Sequence, residues 1–311
     1  MTLPWLQAVE REFVERLHGD RLAHALLLSG PAHCGKVDLA RQFMAAALCL
    51  ENRYPACGQC RSCQLLGSGA HPDGHVVTFE ERDRKPGVMR TELVVGQMRR
   101  LIDRLFLTNT ISRRKAALIY PVEESNVSAI NALLKTLEEP PSDTVIFLVA
   151  NDPGRVPATV RSRCQNLTVR LPEHGEAVAW VTQHADVSAA DAEIALEAAA
   201  GSPLRAVQFA KDGELEQYRA LRAALDGLRE GRLSVGQALP DLAERDPAQL
   251  WFWVSLHLAA LGRANAAAGG AIRPLLELQR QADLNRRLAR SPVRGNLLLQ
   301  DWLIQWARLS V

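Results

Sequence analysis

A short apolar run that ends in a glycine-rich loop and reopens as a helix sets the strongest limit on how this chain folds. Ala25-Leu26-Leu27-Leu28-Ser29 reads as a buried strand. It enters Gly30-Pro31-Ala32-His33-Cys34-Gly35-Lys36-Val37, and residues from 36 to about 50 carry a helical pattern. Three more strand-like segments follow at 75–79, 116–120 and 145–150, with helical stretches near 91–107 and 125–138 between them. Strands separated by helices require a parallel sheet covered on both faces. The polar stretch 80–87 reads as an exposed loop.

The stretch 125–138 is the best-defined helix. Val127, Ile130, Leu133, Leu134 and Leu137 recur at helical spacing and predict one apolar face. Ser125 or Asn126 can cap its start, and Pro140-Pro141 stops it. Beyond about Leu171 the strand signals fade. Residues 172–211 read as a small helical unit with a Gly201-Ser202-Pro203 break. From 213 onward the chain is helical, punctuated by Gly269-Gly270, Pro274, Pro292 and Gly295, and its Trp and Leu residues suit a helical bundle.

Composition narrows the class. With 311 residues and 47% hydrophobic content, the chain can build more than one core. Lys+Arg 37 against Asp+Glu 35 leaves +2, so overall charge does not mark a nucleic-acid binder. No apolar run approaches ~18 residues, which predicts no membrane span. No secretory signal pattern opens the sequence, and cytoplasmic placement is the expectation.

The loop at 30–37 follows a strand and opens a helix, the context of a phosphate-binding loop. Gly30 and Gly35 let backbone N–H groups face a phosphate, and Lys36 has the charge to neutralise it. The next position needs a Ser or Thr hydroxyl for Mg²⁺, and here it is Val37. Hydrolysis also needs carboxylates at the end of a neighbouring strand. The strand at 116–120 runs instead into Tyr120-Pro121, and Glu123 and Glu124 come two to three residues late, at the expected start of the next helix. No intrinsic ATPase is expected. Lys36 leaves ATP or ADP binding without hydrolysis open.

Cys49, Cys57, Cys60 and Cys63 read C-x7-C-x2-C-x2-C. Four thiolates close a tetrahedral Zn²⁺ site with no open position, which predicts a structural zinc module at 49–63. Cys34 and Cys164 read as packed residues rather than reactive thiols. Further along, the stretch after Ala150 contains Ser162-Arg163-Cys164 on an expected short helix that would project its arginines.

Together these features resemble the delta-prime subunits of the bacterial DNA polymerase III clamp loader. The resemblance is carried by His24-Ala25-Leu26-Leu27-Leu28-Ser29-Gly30-Pro31, the four-cysteine insert, Asn131-Ala132-Leu133-Leu134-Lys135-Thr136-Leu137-Glu138-Glu139-Pro140-Pro141, Ser162-Arg163-Cys164, and Asn296-Leu297-Leu298-Leu299. It spans nearly the whole chain. The related gamma/tau ATPases share the zinc insert but keep an intact phosphate loop and acidic motif, which this chain lacks.

The resemblance implies an α/β AAA+ core at 1–171 with a five-stranded parallel sheet and the zinc module. It further implies a helical lid at 172–211 and an all-α collar for oligomerisation at 212–311. It implies a stator that does not hydrolyse ATP, within a holoenzyme whose overall activity is DNA-directed DNA polymerase. Arg163 would serve as an arginine finger for a neighbouring subunit, with Asn151 and Arg205 at the sensor positions beside a degenerate nucleotide site. The implied partners are the gamma/tau and delta subunits, the sliding clamp and primed DNA in the assembled complex, with no membrane. Basic residues near Arg82-Arg84-Lys85, Arg99-Arg100-Arg104 and Arg113-Arg114-Lys115 are candidates for DNA contact there. The competing readings are a gamma/tau-like ATPase and a zinc-dependent DNA-binding protein.

Overall fold

The computed structural model describes residues 3–19, 21–82, 85–288 and 295–309. Arg84 and Pro292, singled out in the sequence, lie outside the described residues. The chain forms two compact units, 1–173 and 174–311.

The first unit is built on a five-stranded sheet of β1 (Ala25–Ser29), β2 (Gly74–Val77), β5 (Lys115–Ile119), β6 (Thr144–Ala150) and β7 (Gln165–Thr168). The strand order is β2-β5-β6-β1-β7, and every pairing is parallel. This is the parallel core expected of an AAA+ module. Alternate residues go to opposite faces, as strand geometry requires. Leu26, Leu28, Leu118, Phe147 and Val149 join a core completed by α1 (Gln7–His18) and α2 (Lys36–Leu48). There Phe13 and Phe43 stack with centroids 3.8 Å apart. Ala25, Leu27, Ile119, Ile146 and Leu148 face the other way, onto α4 (Val95–Leu105), α5 (Val127–Glu138) and α6 (Ala158–Arg161).

Four strands fall within a residue or two of where the sequence predicts them. β7 does not have a sequence counterpart, because only Leu167 of its four residues is buried. The stretch expected as a loop at 80–87 instead contributes to an antiparallel ribbon of β3 (Glu81–Arg82) and β4 (Lys85–Met89). Its strands pair through the backbone, and the Gly87 N–H also donates to Glu81 Oε2 at 3.2 Å. The cysteine insert carries α3 (Arg61–Gly67).

In α5 the cap is Asn126, whose side-chain oxygen accepts the Ala129 N–H at 2.9 Å. Ile130, Leu133 and Leu137 are buried as expected, but Val127 is 77% exposed. It occupies the first helical position, where a side chain leans back over the N-terminal end. Glu123 and Glu124 do not begin α5. They sit in a separate 3₁₀ turn, Val122–Glu124.

The second unit holds eight helices among the described residues: α7 (His174–Ala185), α8 (Ala189–Ala198), α9 (Pro203–Lys211), α10 (Glu214–Arg229), α11 (Val235–Ala243), α12 (Pro247–Ala267), α13 (Arg273–Leu288) and α14 (Gly295–Ala307). One hydrophobic core runs from Ala177 to Trp306, so 174–211 and 214–309 share an interior. Buried indoles tie it together, each donating its N–H to a carbonyl: Trp253 to Ala198 at 3.2 Å, Trp302 to Leu278 at 3.1 Å and Trp306 to Leu225 at 2.8 Å. A buried indole needs such a partner. Among the described residues no helix is long and apolar enough to cross a membrane.

Candidate functional site

The phosphate-type loop has its expected shape. Gly30 lies at φ +150, and a Cβ there would fall 2.1 Å from the Val169 carbonyl oxygen. Only glycine lets β1 and the chain after β7 approach this closely. Gly35 adopts a left-handed conformation at the start of α2. The loop is pinned from outside by Trp5, whose indole N–H donates to the Cys34 carbonyl at 2.9 Å.

Lys36 has turned inward. It is 2% exposed. Its ammonium donates to the Pro31 carbonyl and, at 3.1 Å, to Asn151 Oδ1. It also lies 3.5 Å from Cys34 Sγ. Burial lowers its pKa, against the opposing pull of Cys34 and Glu123. Asn151 in turn donates its backbone N–H to Glu123 Oε1 at 2.8 Å. The second carboxylate oxygen of Glu123 is buried with no hydrogen-bond partner among the described residues. Glu123 is therefore part of the loop's surroundings, which the sequence reading missed by assigning it to a helix start. No local signal marks it: Glu123 lies four residues beyond β5, and only the pairing of β5 with β6 brings it to the loop.

Tyr120 fills the position just past β5 and accepts a hydrogen bond from Arg41 at 2.7 Å. Glu124 forms a two-pronged pair with Arg155, at 2.7 and 3.0 Å. Gly30, Gly35, Lys36 and Asn151 are thus brought together. Arg205 lies in the second unit, at the start of α9, with its guanidinium 4.4 Å from the Phe209 ring centroid and 3.1 Å from Gln208 Oε1.

The four insert cysteines converge. Their Sγ atoms all lie within 4.8 Å of one another, and none is in a disulfide. Cys57 and Cys63 are 3.8 Å apart. A tetrahedral ion with sulfur bonds of about 2.3 Å sets its ligands about 3.8 Å apart, so the spacing fits a thiolate-bound metal. Backbone N–H groups point at the sulfurs, Cys60 N to Cys57 Sγ at 3.3 Å and Cys63 N to Cys60 Sγ at 3.5 Å. Burial pushes Cys63 up to about 12. In Cys60, burial pulls the same way but N–H donation from Cys63 and Leu50 overcomes it, and the thiol falls to about 6. The set can hold a metal ion.

Beside it lies a buried polar clamp. Ser62 and Ser112 both donate to the Leu48 carbonyl, at 2.7 and 2.8 Å, and His71 Nε2 is 2.8 Å from Ser62 Oγ. Asp73 accepts the backbone N–H groups of Thr110, Ile111 and Ser112 at 2.8, 2.7 and 2.9 Å. These bonds fasten the cysteine insert to the loop before β5.

The expected short helix is present as α6, but it ends at Arg161, and Ser162-Arg163-Cys164 form the turn after it. Arg163 donates to the Thr159 carbonyl at 2.8 Å and to Ser162 Oγ at 3.3 Å. Its other terminal nitrogen pairs with Glu138, the last residue of α5, at 2.5 Å. Cys164 is buried, and burial raises its thiol to about 11. Of the basic clusters, Arg100 is paired with Glu80 at 2.8 Å. Lys115 is not on the surface. It is 2% exposed, with its ammonium 3.0 Å from the Arg104 carbonyl, because it opens a strand covered on both faces.

Comparisons with known proteins agree with this arrangement. Residues 5–173 match the family model described as "DNA polymerase III, delta subunit". The DNA polymerase III subunit delta' of Pseudomonas aeruginosa is 39% identical over 69% of this chain, and the match spans 63% of that relative. Its counterpart from Yersinia pestis is 31% identical over 97% of this chain and 94% of its own length. The one from Escherichia coli is 31% identical over 85% and 78%. The chain belongs to the DNA polymerase III delta' family.

Proposed function

We propose that the chain is a stator-type clamp-loader subunit that does not hydrolyse ATP and that lends Arg163 to the nucleotide of a neighbouring subunit. Membership in the delta' family supports the assignment. The observation that carries it is the inward turn of Lys36: its ammonium is bonded to Asn151 and Pro31, and Val37 and Tyr120-Pro121 stand where a metal-binding hydroxyl and carboxylates are needed. On this reading Gly30, Gly35, Lys36 and Asn151 are a degenerate nucleotide site, and Arg205 is a sensor remnant.

Arg163 acts electrostatically. A guanidinium offered to a γ-phosphate stabilises charge that develops in the transition state, and such fingers are worth ~10³–10⁵ in rate. Cys49, Cys57, Cys60 and Cys63 hold a structural zinc, the ion that four thiolates at this spacing suit. Residues 172–211 serve as a lid and 212–311 as a collar that joins tau/gamma and delta subunits. The assembly places the sliding clamp on primed DNA in the cytoplasm.

The test is ATP turnover by the loader reconstituted from this chain with its tau/gamma and delta subunits, clamp and primed DNA. The chain alone should be silent, and Arg163→Ala should lower turnover of the assembly at least tenfold. Unchanged turnover would remove the trans role of Arg163. Turnover by the isolated chain, lost on Lys36→Ala, would make it an ATPase in its own right.

A further inference from the structure

Glu138 and Arg163 belong to separate motifs, yet they meet at 2.5 Å. Glu138 is the last residue of α5. The helix dipole puts partial negative charge at that end, so an anion there is disfavoured unless a cation answers it. Lys135 lies in the same last turn, and Arg163 is the cation that pairs directly with Glu138. Its other terminal nitrogen is engaged by its own turn, through the Thr159 carbonyl and Ser162 Oγ. The pair is still reachable from solvent, with side-chain exposures of 34% for Arg163 and 50% for Glu138.

We propose that Glu138 is a positioning residue, a resting counter-ion that holds the Arg163 guanidinium against the Ser-Arg-Cys turn and yields it to the terminal phosphate of a neighbour's triphosphate. This rests on the reading of Arg163 as an in-trans arginine. The exchange is favourable on elementary grounds. An exposed carboxylate pair is worth little in water. A terminal phosphate offers more charge and more acceptor oxygens, and at a closed subunit contact screening water is excluded. Glu138 and the phosphate compete for one cation, so Glu138 sets the threshold at which the arginine is released.

The experiment is steady-state ATP hydrolysis by the reconstituted loader, with Glu138→Gln, Arg163→Ala and the double variant. Removing the competing charge should raise kcat/KM for ATP about 2- to 5-fold, the range expected from an exposed ion pair. The gain should shrink at high salt. In the Arg163→Ala background Glu138→Gln should change nothing, a coupling that a merely structural role would not produce. Unchanged or reduced kcat/KM in Glu138→Gln, with Arg163→Ala still impaired, would overturn the positioning role and leave the in-trans reading standing. An effect of equal size in both backgrounds would also overturn it. Full turnover in Arg163→Ala would sink both readings together.

Discussion

Replacing Asp73 by Asn should open the loop before β5 and loosen the cysteine insert. Asp73 is fully buried, and its carboxylate accepts three backbone N–H groups, from Thr110, Ile111 and Ser112. Burial by itself would raise its pKa, but these donors overcome burial and hold the group below the usual carboxylate value. An asparagine can place its oxygen where Oδ2 accepts from Ile111 and Ser112. Its NH₂ then faces the Thr110 N–H, donor against donor. One charge-assisted bond is lost, a buried donor is left unpaired, and the two remaining bonds lose their ionic partner. The cost is roughly 2–4 kcal/mol.

The assay is urea unfolding of the full chain followed by far-UV circular dichroism, with hydrogen exchange over residues 107–114. Five of the six tryptophans lie beyond residue 173, so indole fluorescence would report chiefly on the second unit. The sign with pH is fixed. A carboxylate whose folded pKa is depressed stabilises the fold fully above its unfolded pKa, about 3.9. That contribution fades as pH falls through the lower folded value. The gap between wild type and Asp73→Asn should therefore be full at pH 7 and narrow only below about pH 4. A difference under about 0.5 kcal/mol at pH 7, with unchanged exchange at 110–112, would refute the argument.

Three further outcomes follow from the same physics. On the proposed reading of the four cysteines as a metal site, a chelator should strip protection from residues 49–71 and expose the insert thiols to a thiol reagent while the central sheet stays protected; identical exchange with and without chelator would show the insert folds unaided. His75 is pulled down to about 4 by burial and then by Arg104 and Lys115, with Asp73 pulling the other way. Its neutral form stabilises the fold above the ordinary histidine pKa, and ~3 kcal/mol is lost as pH falls from about 6.5 toward 4. His75→Leu should flatten much of that acid slope, leaving the shares of His71 and His257, both also held down by burial, and an unaltered slope would count against it. Trp302→Ala should destabilise the second unit by about 3–5 kcal/mol, since Trp302 is fully buried and donates to Leu278; a loss under about 1 kcal/mol would mean the core re-closes around the gap.

Much of the fold was readable because burial on both faces writes itself as uninterrupted apolar runs. β1, β5 and β6 are buried at every residue, and the sequence marks each within a residue or two. β7 lies at the sheet edge and buries only Leu167, so Gln165-Asn166-Leu167-Thr168 carries no run. β3 and β4 pair chiefly through backbone bonds, which composition does not encode. The four cysteines were legible from spacing alone. The partners that matter most were not: Glu138 meets Arg163, and Asn151 meets Lys36, across long stretches of chain. Side-chain pairings at that range are decided by strand order, which no local pattern reports. Glu123 was misread for a related reason: acidic residues before a helix suit its dipole, and only the sheet places this one beside the loop.

The inward Lys36 has a thermodynamic consequence. A protein that binds a ligand only when folded draws stability from it in proportion to the logarithm of the ligand's concentration. A loop whose lysine already holds a backbone carbonyl and an asparagine oxygen gains little by exchanging them for a phosphate. On the proposed reading, the unit that carries this loop is decoupled from the cell's energy charge. If the chain is the stator proposed above, this unit would keep one shape when triphosphate levels swing or when neighbours pass from triphosphate to diphosphate, and would offer the moving members of the assembly a fixed frame of reference.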